Sequence, residues 1–127
     1  MNNQKFSLFK RLQSFKYAFN GIYILLKEEH NARIHVFASI IILFAGYFFN
    51  LSEYEWIAIL FAIGFVISME IVNSSIENIA DFISPAKHES IKKIKDLGAA
   101  SVLISAIIAA SIGLIIFIPK IVELMDR

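Results

Sequence analysis

Residues 34–52 run for 19 positions without a charged side chain, and residues 97–119 run for 23. A helix crosses a bilayer in ~20 residues, at 1.5 Å each for ~30 Å of hydrocarbon, so either run suffices. Inside hydrocarbon every backbone N–H and C=O must find its partner within the protein, which restricts runs of this length to helices. A third run, residues 56–69, has only 14 uncharged positions, but a mixed polar and apolar pattern continues it to residue 81. The sequence therefore predicts an all-α integral membrane protein, with transmembrane helices over 33–52, 54–81 and 97–119 and a cytoplasmic loop over 82–96. A chain of 127 residues, 57% of them hydrophobic and 12 of them Phe, is one membrane domain. It has no Cys, which excludes thiolate metal sites and disulfides.

Basic residues orient these spans. Lys5, Lys10, Arg11, Lys16, Lys27 and Arg33 precede the first, and residues 51–55 carry acids but no base. Lys87, Lys92, Lys93 and Lys95 separate the second span from the third, and Lys120 and Arg127 follow it. The tally of 6, 0, 4 and 2 puts the N-terminus and the second connection in the cytoplasm by the positive-inside rule. Residues 1–31 lack the apolar core and cleavage site of a signal peptide. Instead Phe9, Leu12, Phe15, Phe19, Ile22 and Leu26 recur at spacings of three and four. That pattern predicts an amphipathic helix lying in the cytoplasmic interface, the alternative being a helix packed on a soluble partner.

Polar residues on the second span need a reason to be there. Glu70, Asn73, Glu77 and Asp81 fall within about 80° of helical arc, while Ile71, Val72, Ile76 and Ile79 keep the other faces apolar. One Glu at a membrane boundary would be a solvated helix end. A stripe of four polar residues marks a bundle interior or polar cavity, because each acid costs several kcal/mol in hydrocarbon. Oxygen-only donors suit a hard cation such as Mg²⁺, completed by water and phosphates. Glu28 and Glu29 form a second acidic helix end, where Glu29 and Arg33 at i, i+4 read as a helix pair.

Opposite in charge is the stretch 84–96, where Ser84 and Pro85 end the second helix and a basic segment follows. Topology alone accounts for Lys87, Lys92 and Lys93. Lys95 and Asp96, just before the third span and on one side of its helix with Lys92, suit a polyphosphate beside a metal. There is no G-x-x-x-x-G-K-[ST] or G-x-G-x-x-G loop. His30, His35 and His88 lack the i, i+4 spacing of a transition-metal site, and no nucleic-acid partner is expected. The residues alone reach a cytoplasmic-face divalent-metal site with a basic lid, which fits an enzyme, a Mg²⁺ channel or transporter subunit, or a structural membrane protein.

The pattern Glu70-x-x-Asn73-Ser74-x-Ile76-Glu77-x-x-x-Asp81, then His88, then Lys95-Asp96-x-Gly98-Ala99, resembles the prokaryotic diacylglycerol kinase family. These are small trimeric lipid kinases of the bacterial inner membrane, and the likeness runs from residues 14–21 through the third span. The resemblance implies transfer of the γ-phosphoryl group of MgATP to a lipid hydroxyl, by a homotrimeric bundle with sites between subunits. By the same resemblance Glu70 is the catalytic base, contacting the lipid with Ala99, and Glu29 and Glu77 bind Mg²⁺ and thereby ATP. Tyr17, Asn73, Lys95 and Asp96 line the ATP site, with Lys87 and His88 near the adenine and Lys10 or Arg11 as a basic contact. Asn20 stands where many relatives have Lys and is given no role. Residues 28–35 and 51–56 look more like the undecaprenol kinase branch, leaving diacylglycerol and undecaprenol both open as substrates.

Overall fold

A computed structural model describes residues 5–86 and 88–127, and Lys87 of the expected nucleotide loop lies outside them. Four helices follow in order: α1 (Leu8–Glu28), α2 (His30–Phe48), α3 (Glu53–Ile83) and α4 (Glu89–Met125). The last three are long and apolar enough to cross a membrane, and the described residues contain no strand. The protein is an all-α membrane protein.

Ser7 caps α1 by accepting from the Lys10 amide. The helix stops at Glu29, whose extended backbone (φ −102°, ψ 109°) ends α1 and starts α2 at once. The expected Glu29–Arg33 pair does not form. Glu29 is the extended cap residue and not part of the helix, so i, i+4 spacing no longer sets the two side chains side by side. The Arg33 guanidinium instead donates Nε to the Leu26 carbonyl at 2.6 Å and Nη2 to the Lys27 carbonyl, satisfying acceptors that the end of α1 leaves open. A rigid elbow results.

The first span begins and ends earlier than 33–52. A left-handed residue, Asn50 (φ 53°), turns the chain, and Leu51 N–H closes onto the Gly46 carbonyl at 3.2 Å. Ser52 and Glu55 then form a reciprocal capping box that starts α3. At its other end, α3 stops at Ser84, ahead of Pro85. The connection expected over 82–96 contracts to residues 84–88, because His88 Nδ1 accepts from the Ser90 amide at 3.1 Å and opens α4 there. Nor does α4 stop at Pro119, which is accommodated within it.

Antiparallel packing of α3 on α4 dominates the bundle. An ion pair ties each end, Lys95 Nζ to Asp81 Oδ1 at 2.5 Å and Lys120 Nζ to Glu55 Oε1 at 3.1 Å. Near the second pair, Leu51, Ile59, Ile116 and Phe117 form a small core flanked by Phe49 and Trp56. There the Trp56 ring lies so close to Gly46 that a Cβ would meet it at 2.8 Å. Elsewhere the large apolar side chains point outward, Phe44, Phe61 and Phe82 among them, as a lipid-facing surface requires. On α1, Phe9, Leu12, Phe15 and Phe19 are exposed and only Leu25 is buried.

Candidate functional site

At the end of the bundle carrying the Lys95–Asp81 pair, the stripe on α3 meets three other parts of the chain. Glu70 is the most enclosed of its acids, with 5% of its side chain exposed. His35 of α2 stands with Nε2 3.2 Å from Glu70 Oε1. The two atoms approach without forming a hydrogen bond, and Oε1 is buried without one. Ser39, one turn further on α2, donates to the His35 carbonyl at 2.7 Å. His35 escaped the sequence reading, which searched histidines for metal spacing. The available signal was different: a histidine inside an apolar span is a functional candidate by position alone.

The elbow delivers Glu29 to the same place. Ser74 of α3 donates its hydroxyl to Glu29 Oε1 at 3.3 Å, and the Glu29 charge acts on both Glu70 and Glu77. The structure thus brings Glu29, Glu70 and Glu77 to one neighbourhood, from residues far apart in the chain. Among the described residues, no three His, Asp or Glu side chains form a ready-made metal cage. Glu29 and Glu77 do fit the donor set of Mg²⁺, which is held by one or two carboxylates and takes its remaining oxygens from phosphate and water.

Asn73, one turn from Glu77 and Ser74's neighbour, presses its side chain against α4. Its Oδ1 is buried without a hydrogen bond, at the spot a Cβ on Gly98 would occupy. Only glycine at 98 leaves room for it. Above this contact Lys95 reaches across to Asp81, and that hydrogen bond holds its ammonium charged above the ordinary lysine range. Asp96 turns the other way, to Lys92 at 2.6 Å, and raises the Lys92 pKa similarly. Lys92, Lys95 and Asp96 lie within about 100° of arc on α4, the one side expected for them, but Lys95 and Asp96 take different partners. Adjacent helical residues point about 100° apart. Asp96 instead joins His88, Lys92 and Lys93 around an open groove of about 720 Å³.

The α1 residues stay apart from this cluster within one chain. Tyr17 is exposed, and at 1.5 Å per residue it lies ~12 Å along α1 from Leu25, where that helix meets the bundle. Lys10 and Arg11 are farther still, with the Arg11 guanidinium 5.5 Å over the Phe6 ring. Ala99 is exposed on α4, beside Gly98. In α4, Ser101, Ser105 and Ser111 each donate their hydroxyl to a carbonyl of their own helix, so α4 offers no polar row of the kind an ion path needs.

Comparison with known proteins supplies the family. The chain is 37% identical to the undecaprenol kinase of Bacillus subtilis over 108 residues, covering 85% of this chain and 88% of that one. It is 29% identical to a diacylglycerol kinase of Synechocystis, covering 90% of this chain and 66% of that protein. A diacylglycerol kinase of Haemophilus influenzae is also 29% identical, over 84% of this chain and 92% of its own. Residues 16–117, which hold the elbow, the acidic stripe, Lys95 and nearly all of α4's span, match one family description throughout, and the chain belongs to the prokaryotic diacylglycerol kinase family.

Proposed function

We propose that this protein is a membrane lipid kinase that transfers the γ-phosphoryl group of ATP to a lipid hydroxyl. The observation that carries the reading is the convergence of Glu29, Glu70 and Glu77 beneath Lys95, in a chain of this family. Phosphoryl transfer asks a protein mainly for positioning and charge neutralisation, and these residues supply both. Glu70 accepts the hydroxyl proton as the lipid oxygen bonds to the γ-phosphorus, the bond to the bridging oxygen breaks, and ADP leaves. Lys95 offers a fixed positive charge to the polyphosphate, and Asn73 and the groove at His88 border the nucleotide. Glu29 and Glu77 would hold Mg²⁺, which when bound neutralises phosphate charge.

Undecaprenol is favoured over diacylglycerol by the higher identity to the Bacillus subtilis enzyme. A homotrimer completes the reading, since Tyr17 and the Lys10–Arg11 pair stand clear of their own chain's acids and are free to reach a neighbour's. The charge distribution supports a cytoplasmic N-terminus in the bacterial inner membrane, with the acids on the side where ATP is found. The test is purified protein in micelles, given MgATP with undecaprenol or with diacylglycerol, with ADP and lipid phosphate both measured. Phosphorylation of undecaprenol is expected to be the faster. If neither lipid acquires phosphate, the proposal is wrong.

A further inference from the structure

Glu70 has an oxygen that the fold leaves wanting. Oε1 is buried, no donor is directed at it, and His35 Nε2 waits 3.2 Å away. A buried acceptor left without a partner is unfavourable, more so when charged, so the arrangement calls for a reason. The other ionisable side chains near Glu70, Glu29 from the elbow and Glu77 from its own helix, are acids, so His35 is the one donor-bearing neighbour among them. The backbone of His35 is fixed within α2, but its side chain is 27% exposed and not enclosed. A modest rotation of the imidazole would aim Nε2–H at Oε1. Catalytic hydrogen bonds are often long or misaligned before substrate binds and tighten afterwards.

We propose that His35 is a positioning residue for Glu70: its Nε2–H bonds Oε1 during turnover and leaves Oε2 facing the lipid hydroxyl. The inference rests on the reading of Glu70 as general base and adds to it the group that aims the base. A second consequence is chain geometry. Because His35 sits on α2 and Glu70 on α3, alignment of the base depends on how those helices pack.

A purely structural pair would tie α2 to α3 and nothing more, and the experiment separates the two roles. In micelles with MgATP and undecaprenol, and again with diacylglycerol, His35→Leu is expected to lower kcat by about 10- to 100-fold, the scale of a displaced catalytic group. The KM for MgATP should change less than about twofold, since nucleotide binding is not what His35 serves. His35→Gln puts an amide N–H near the place of Nε2 and should restore much of kcat; His35→Asn, whose amide falls short, should not. In a Glu70→Gln background, His35→Leu should cause no further loss, because a residue acting through Glu70 has nothing left to aim. Additive losses, equal activity of the Gln and Asn variants, or a normal kcat in His35→Leu would each overturn the proposal. If His35→Leu does not fold, the comparison of the Gln and Asn variants decides alone. Full turnover in Glu70→Gln would remove the base itself and overturn both readings, whereas a dead Glu70→Gln beside a normal His35→Leu overturns this one only.

Discussion

Glu70→Gln keeps the size of the side chain and its capacity to hydrogen-bond, and removes its ability to accept a proton. If Glu70 is the base, turnover should fall by roughly 10²–10⁴, with the apparent affinity for MgATP little changed. Recovery of full turnover at saturating MgATP would make Glu70 a nucleotide or metal ligand instead. The other two acids should respond differently. Glu29→Gln and Glu77→Gln are each expected to raise the Mg²⁺ concentration needed for half-maximal activity, and a Mg²⁺ titration unchanged in both would remove them from the metal site. At this scale the sequence was informative where a residue's oddity is local. Glu70, Asn73 and Glu77 stand out because acids and amides are rare on membrane helices, and the structure gathers them with Glu29. His35 was missed because its meaning depends on a partner in another helix, and no spacing within α2 announces that partner. Arg33 was misread for the opposite reason, since its nearest acid in sequence is not its partner in space.

Elements were legible to the extent that their ends carry ordinary signals. Ser52 and Glu55 form a recognisable box, and Ser84 with Pro85 closes α3 where expected. The start of α4 was not legible, because His88 serves as its cap and histidine is not among the preferred N-cap residues. The uncharged run ends at Pro119, yet α4 continues through it, because proline within a membrane helix is tolerated when neighbours re-satisfy the freed backbone. How α3 and α4 touch was beyond reach of the sequence, and it carries a prediction. A methyl group at residue 98 falls on the buried Asn73 Oδ1. Asn73 is the end of a short side chain and can swing aside more readily than the helix backbones can part. Gly98→Ala should therefore lower the thermal midpoint only modestly, within the ~1–3 kcal/mol of overpacking, while weakening MgATP use as much as Asn73→Ala should. Combining the two substitutions should add little to either one. A Gly98→Ala protein with normal MgATP kinetics would show that Asn73 has no part in holding the nucleotide.

The orientation proposed for the whole molecule follows from its charges, and it can be measured in cells. A Cys introduced at Ser90 should be shielded from a membrane-impermeant reagent until the cell is opened. One at Glu53 should react from outside; this position is preferable to Ser52, whose hydroxyl caps α3. The reverse pattern would separate the acids from cellular ATP and defeat the proposed reaction. The three spans could be read from the sequence because apolar length acts on the molecule as a whole, and the proposed orientation draws on charge at the same scale. The ion pairs that tie α3 to α4 could not, yet they bear on how the protein meets its bilayer. Lys120 lies 25 residues beyond Lys95 on one helix, a separation of ~37 Å at 1.5 Å per residue, against ~30 Å of hydrocarbon. Both pairs then fall within the headgroup layers, one in each leaflet. Thickening the bilayer draws them toward hydrocarbon, and thinning it exposes apolar side chains to water, at fractions of a kcal/mol per Å in either direction. Turnover in vesicles should accordingly pass through a maximum as lipid acyl chains are lengthened, and Lys120→Met should soften the decline on the thick side. A flat response would deny the pairs this part; a peaked one would mean that the chain carries its own gauge of the membrane whose lipids it modifies.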